Sequence, residues 1–187
     1  MKALYIALMC FGLCKAQSII PIENQVNYNL TESNGKYFKD VNGVYNKFLG
    51  TWKYQNTVTN PTEIVEVIFY KQEHYFISNF YEDRLYARFK YTKNGQVIFN
   101  TLTGTDAALN RMIFGGFFIN PANTNKTSLT YFEPDEERWT RKSILLLEYS
   151  VTLGNPAQLT WHLDWYPIGE GVPDPKIPAN MTLTKIN

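Results

Sequence analysis

The chain has 187 residues, 44% hydrophobic, 16% aromatic and only 19% charged, and 18 basic against 17 acidic side chains leave a formal charge of +1. A sequence this apolar and weakly charged folds, and about 100 to 200 residues per domain makes one domain the expectation. Near-neutrality excludes partner choice by net charge: there is no basic excess for nucleic acid and no acidic tail for cations.

In chain order, Lys2 and the uncharged run Ala3 to Leu13 read as an export signal over residues 1–16. At about 11 residues the run is too short to span about 30 Å of hydrocarbon. Two processing routes stay open. Cys14 and Ala16 satisfy the small-residue requirement for cleavage before Gln17, which would give a periplasmic or secreted chain. The alternative is lipidation at Cys14 and an outer-membrane anchor, the only membrane attachment expected. The string Cys14-Lys15-Ala16-Gln17 resembles the start of exported lipoproteins of Bacteroidetes-type bacteria, although Leu13 and Phe11 are larger than a lipidation signal prefers. Cys10 and Cys14 are the only cysteines. The processed chain therefore has no internal disulfide and must hold together by its core.

Residues 17–47 are polar and Asn-rich with no sustained period, which reads as a lead-in or tether, or as loops packed on the domain. The domain is expected over 48–187. Phe48, Gly50, Trp52 and Tyr54 share one face of a first strand. Ile64 to Tyr70, His74 to Phe80 and Leu85 to Tyr91 follow as three more. Asn94-Gly95 then predicts a type I′ hairpin into Val97 to Leu102. Gly115-Gly116 inside the run Met112 to Ile119 predicts a bulge. Ser128 to Glu133, Ser143 to Val151, Leu159 to Trp165 and Met181 to Ile186 complete about ten strands, with a loop rich in Pro and Gly (Pro167, Gly169, Gly171, Pro173, Pro175, Pro178) before the last. The expected fold is an all-β antiparallel meander, a closed barrel or a β-sandwich.

Phe48-Leu49-Gly50-Thr51-Trp52 followed by up-and-down strands resembles the first strand of lipocalin-like barrels. The resemblance implies an indole plug at one end, with a basic residue near the last strand packed on it; Lys185 has the comparable place. The signal ending Cys-Lys-Ala-Gln, the strand Phe48 to Tyr54 and the terminal Ile177-Pro-Ala-Asn-Met-Thr-Leu-Thr-Lys185 are similar to an uncharacterised family of Bacteroidetes exported proteins. That second resemblance implies a location and a fold but no chemistry.

Chemistry-bearing patterns are sparse. His74 and His162 are the only histidines, and no spacing suits a metal site or a cofactor. His162 and Asp164 share a strand face, the minimum for an imidazole held by a carboxylate, but no Gly-x-Ser-x-Gly supplies a nucleophile. Asp135-Glu136-Glu137 reads as a solvated turn. Arg138, Arg141 and Lys142 around Trp139 read as charged guards on an edge hairpin, or as a stacking platform. Asn29, Asn125 and Asn180 begin Asn-x-Thr sequons, inert in a bacterial exported protein. The aromatics are the one excess: Trp52, Tyr54, Phe89, Tyr91, Trp161 and Trp165 fall on presumed inward faces, where they either fill the barrel or line a pocket for a small apolar ligand. The expectation is a non-catalytic exported or lipid-anchored envelope module, with a solid-core protein-recognition module and a hydrolase using His162 and Asp164 as alternatives. Its partner would be a small apolar ligand or an envelope protein, without nucleic acid.

Overall fold

The computed structural model describes residues 17–103, 112–134, 141–167 and 174–186. Among them the strands are β1 (Ser18–Pro21), β2 (Lys36–Lys39), β3 (Gly50–Gln55), β4 (Glu63–Ile77), β5 (Phe80–Lys93), β6 (Gln96–Asn100), β7 (Ile113–Phe117), β8 (Lys126–Tyr131), β9 (Arg141–Ser150), β10 (Gln158–Pro167) and β11 (Asn180–Lys185), with a short 3-10 helix at Ile22–Asn27. The signal region with Cys14, the acidic turn at 135–137, Arg138, Trp139, Gly169, Gly171 and Pro173 lie outside the described residues, as do the side chains of Arg141 and Lys142.

Alternation dictates the wall. β3, β4 and β5 pair in sequence, β7 pairs β5, and β8 to β11 continue the antiparallel meander. β11 then returns to β3 through Thr184 opposite Lys53 and Lys185 opposite Trp52. The sheet is thus a closed eight-stranded barrel, as a lipocalin-like meander requires. Its single continuous ladder rules out the sandwich. Residues directly opposite in an antiparallel pair share a face. The register therefore carries one set inward around the barrel: Trp52 opposite Val67, Val67 opposite Phe89, Ala87 opposite Ile113, Ile113 opposite Tyr131, Leu129 opposite Leu145, Leu145 opposite Leu163 and Trp161 opposite Met181. All of these are buried.

One end of the barrel is shut from below by the chain entering β3. Trp52 Nε1 donates to the Phe48 carbonyl at 2.7 Å, and Tyr149 meets both rings edge-on at 6.3 and 6.4 Å. Lys185 Nζ stands 5.3 Å over the Trp52 ring, the contact that the resemblance implied. At the other end, buried Glu133 accepts from the amides of Lys176 and Ile177 at 2.6 and 3.1 Å, which seats Ile177 in the core.

Residues 17–47 are not a tether but part of the fold. β1 pairs parallel with β2, and β2 pairs parallel with β5 at Tyr81 and Glu82. With the lower halves of β5 and β4 they form a four-stranded wing that continues the sheet beyond the barrel. Ile22, Phe38 and Tyr45 join the core. Periodicity missed them because four-residue strands and a 3-10 turn hold too few residues to show a period. The strand expected at His74 to Phe80 is likewise corrected. β4 runs on to Ile77 through a bulge between Gln72 and Tyr75, with His74 at φ +53°, and turns at Ser78, φ +53°.

The two predicted glycine devices are present. Asn94 and Gly95 have φ of +49° and +76°, and Lys93 faces Gln96 across the turn. The register slips between Gly115 and Phe117, and at the slip the Tyr45 hydroxyl donates to the Gly116 carbonyl at 2.7 Å. A Cβ on Gly116 would lie 2.7 to 2.9 Å from that tyrosine's terminal atoms. Glycine at 116 therefore lets the N-terminal segment latch onto the barrel.

Candidate functional site

The six aromatics expected to point inward all have inward register. Trp52, Phe89, Tyr91 and Trp161 are completely enclosed, and Tyr54 and Trp165 are half-buried. The enclosed rings touch one another through neighbours: Phe89 to Tyr131 at 6.0 Å, Tyr131 to Trp161 at 6.0 Å and Phe89 to Phe99 at 6.2 Å. These separations are those of aromatic contact. A side chain none of whose surface a water-sized sphere reaches borders no void that could hold a water. Trp52, Phe89, Trp161, Tyr131, Val65, Val67, Leu145, Leu159 and Leu183 all meet this condition at 0% exposure. The middle of the barrel is therefore packed, as an eight-stranded interior just wide enough for side chains permits. Among the buried polar atoms without a hydrogen-bond partner among the described residues are Trp161 Nε1 and Ser143 Oγ. Tyr91 is raised above the ordinary phenol value, first by burial and then by its 3.0 Å hydrogen bond to Glu63.

Concavity lies instead on the outer wall. Across β8, β9 and β10, beside the segment 118–125, there is a cleft of about 400 Å³. Leu146, Leu147 and Ile119 give it an apolar floor and side, while Asn120, Asn123, Thr160 and His162 supply polar edges. An exposed ion pair, Lys126 to Glu148 at 3.0 Å, crosses the floor. The register explains the assembly: His162 is opposite Leu146, and Glu148 lies between Lys126 and Thr160. Sequence reading singled out His162 and Asp164 but not the residues that join His162 in the cleft, because the cleft is built from three strands and a loop that only pairing brings together.

His162 and Asp164 do meet, with Nε2 2.9 Å from Asp164 Oδ1, and Nδ1 faces Asn180 Oδ1 on β11. Two oxygen acceptors on one imidazole ask for two N–H donors, which only the charged ring has. Accordingly its pKa is raised, first by the hydrogen bond to Asn180, which desolvation partly opposes, and further by Asp164. With both nitrogens engaged, neither is free to take a proton from a nucleophile.

His74 has a different setting. Its ring stacks on Tyr81 at 4.0 Å and meets Tyr37 edge-on at 4.7 Å, above Asp83, which is 1% exposed. Asp83 accepts from the Tyr37 hydroxyl, the Asp40 amide and the His74 amide at 2.5, 2.9 and 3.1 Å. Burial, followed by that carboxylate, raises the Tyr37 pKa. Arg84 pairs with Glu82 and lies over Tyr75 and Phe114 at 4.7 and 5.5 Å. These groups fasten wing to barrel. Among the described residues no group of three or more His, Cys, Asp or Glu is arranged to hold a metal ion.

The structure thus defines an all-β protein made of a closed eight-stranded antiparallel barrel with an N-terminal wing and a cleft in its outer wall. Over residues 1–186 the chain matches the family described as "Family of unknown function (DUF6705)", and it belongs to that family. No curated protein and no solved structure matches it.

Proposed function

We propose that this protein is a non-catalytic, exported recognition module, held at the cell envelope by a lipidated Cys14 or released by cleavage before Gln17, and that it binds its ligand on the outside of a filled barrel. The observation that carries the reading is the 0% exposure of the inward aromatics Trp52, Phe89 and Trp161. A ligand cannot enter a core already at packing density without displacing side chains. The outer cleft, apolar beneath and polar at its rim, has the make-up of a site for a small, largely apolar molecule. Hydrolysis through His162 is disfavoured by the engagement of both ring nitrogens.

The test is an amide and indole ¹H–¹⁵N titration with a library of small apolar and amphipathic fragments. Saturable shifts at Ile119, Leu146 and His162, with the Trp52 and Trp161 indoles unmoved, are expected. Saturable shifts centred on the Trp161 indole would return the binding site to the interior and overturn the proposal.

A further inference from the structure

Cys14 precedes Gln17, the first described residue, by three positions. Three residues reach at most about 11 Å fully extended. With 17–47 folded onto the barrel, a lipid on Cys14 would hold the domain close against the bilayer. The position of Gln17 then decides which face meets the lipid. Its Oε1 is 3.3 Å from His74 Nε2, and its Nε2 donates to the Lys36 carbonyl at 3.4 Å, both on the wing.

Beside Gln17, the wing carries a cross-strand row on its outward face. Ile19 is opposite Tyr37, Tyr37 opposite Tyr81, and Tyr81 opposite Phe76. Three strand spacings make the row about 14 Å wide. Its ends are open to solvent, with Ile19 53% and Phe76 55% exposed. Between them the rings are held fast: Phe76 lies 5.0 Å from Tyr81, His74 is stacked on Tyr81, and Lys39 Nζ is 5.8 Å over Tyr37. The wing's other face is spent in the core, where Phe38 meets Phe80 at 5.6 Å. Exposed apolar tips flanking half-buried Tyr81, with Lys39 beside them over buried Tyr37, match the bilayer interface, where amphipathic rings sit at headgroup depth and a lysine meets anionic lipid.

We infer that the outward face of the wing lies on the lipid bilayer, with Ile19 and Phe76 among the headgroups. The inference rests on the lipid-anchored form of the function proposed above. It replaces a flexible lead-in with a fixed posture: the module stands on its wing.

The test uses the full chain, processed in a lipoprotein-exporting bacterium and reconstituted into vesicles of phosphatidylethanolamine and phosphatidylglycerol. Phe76→Cys and, separately, Ile19→Cys carry an environment-sensitive fluorophore. Val97→Cys, on β6 and 54% exposed, is the control. It lies opposite Thr92, eleven residues further along β5 than Tyr81, or about 36 Å. Intact mass reports whether Cys14 is lipidated, independently of the posture. Quenching by bromine-labelled lipid at positions 76 and 19, several-fold above that at 97, is the expected result. Equal quenching at all three with a lipidated Cys14 overturns the posture while leaving the anchor intact. A disulfide-linked dimer through position 76 would show a second copy on this face and also overturn it. A mature chain beginning at Gln17 overturns the anchor and the inference with it.

Discussion

Substituting Gly116 by alanine tests the docking of the N-terminal segment at one atom. Gly116 has φ +115°, and its added Cβ would meet Tyr45 Oη, Cζ and Cε1 at 2.7, 2.8 and 2.9 Å. Gly115 is the internal control: its φ is +127°, yet its Cβ would find Leu129 Cα no closer than 3.4 Å. Both substitutions carry backbone strain of about 1–3 kcal/mol. Only Gly116→Ala adds an overpacking cost of about 1–3 kcal/mol, because Tyr45 is enclosed and its ring cannot retreat to solvent. Gly116→Ala should therefore lose about 2–6 kcal/mol in total and exceed Gly115→Ala by about 1–3 kcal/mol. Urea unfolding at constant m gives both values. Tyr45→Leu shortens the offending side chain, so the double variant should recover part of the loss, with a coupling of at least about 1 kcal/mol, beyond the ~0.5 kcal/mol scatter of independent sites. Equal losses for the two glycines, with no coupling to residue 45, would mean that Tyr45 does not sit in the bulge and that residues 17–48 do not dock as described.

Three further outcomes follow from single contacts. Lys185→Ala removes the cation over Trp52 and should cost about 0.5–2 kcal/mol by denaturant unfolding, whereas Lys53→Ala, next to Trp52 in β3 and facing the other way, should cost little. Glu133→Ala leaves the amides of Lys176 and Ile177 without their acceptor at a cost of about 1.5–3 kcal/mol, and their hydrogen exchange should quicken before that of β10 does. His162, followed through its Cε1–H resonance, should titrate above the ordinary imidazole value, and Asn180→Ala should bring it down. Because the folded pKa is the higher one, the stabilisation is complete below about pH 6.5 and fades as pH rises through the folded pKa; it is small, since the side chain is 46% exposed.

Much of the barrel was legible because two-residue periodicity is a local signal. The hairpin at Asn94-Gly95, the bulge at Gly115-Gly116 and the inward set from Trp52 to Trp165 could each be read from a few adjacent residues. The wing was not. Ile22, Phe38 and Tyr45 are core residues set in polar surroundings, and the acceptors and rings that hold their segment, such as Asp83 and Gly116, lie tens of residues away in sequence. His162 and Asp164 were identified as neighbours, yet Asn180 was missed because the β10–β11 register, not the spacing, brings it to Nδ1. The outer cleft had no sequence signature for the same reason: Lys126, Leu146 and His162 belong to three strands.

Whether the barrel is filled is measured most directly by hydrogen exchange at the Trp161 indole. Its N–H has no acceptor among the described residues and no surface open to water. With neither bonded protection nor solvent in reach, exchange must wait for the barrel to open. In a filled barrel the Trp161 indole exchanges as slowly as the most protected amides of β9 and β10, with an opening free energy close to that of global unfolding. Exchange at the rate of a solvated indole, while those amides stay protected, would show a water-filled lumen and contradict the claim that this protein recognises its ligand from the outside.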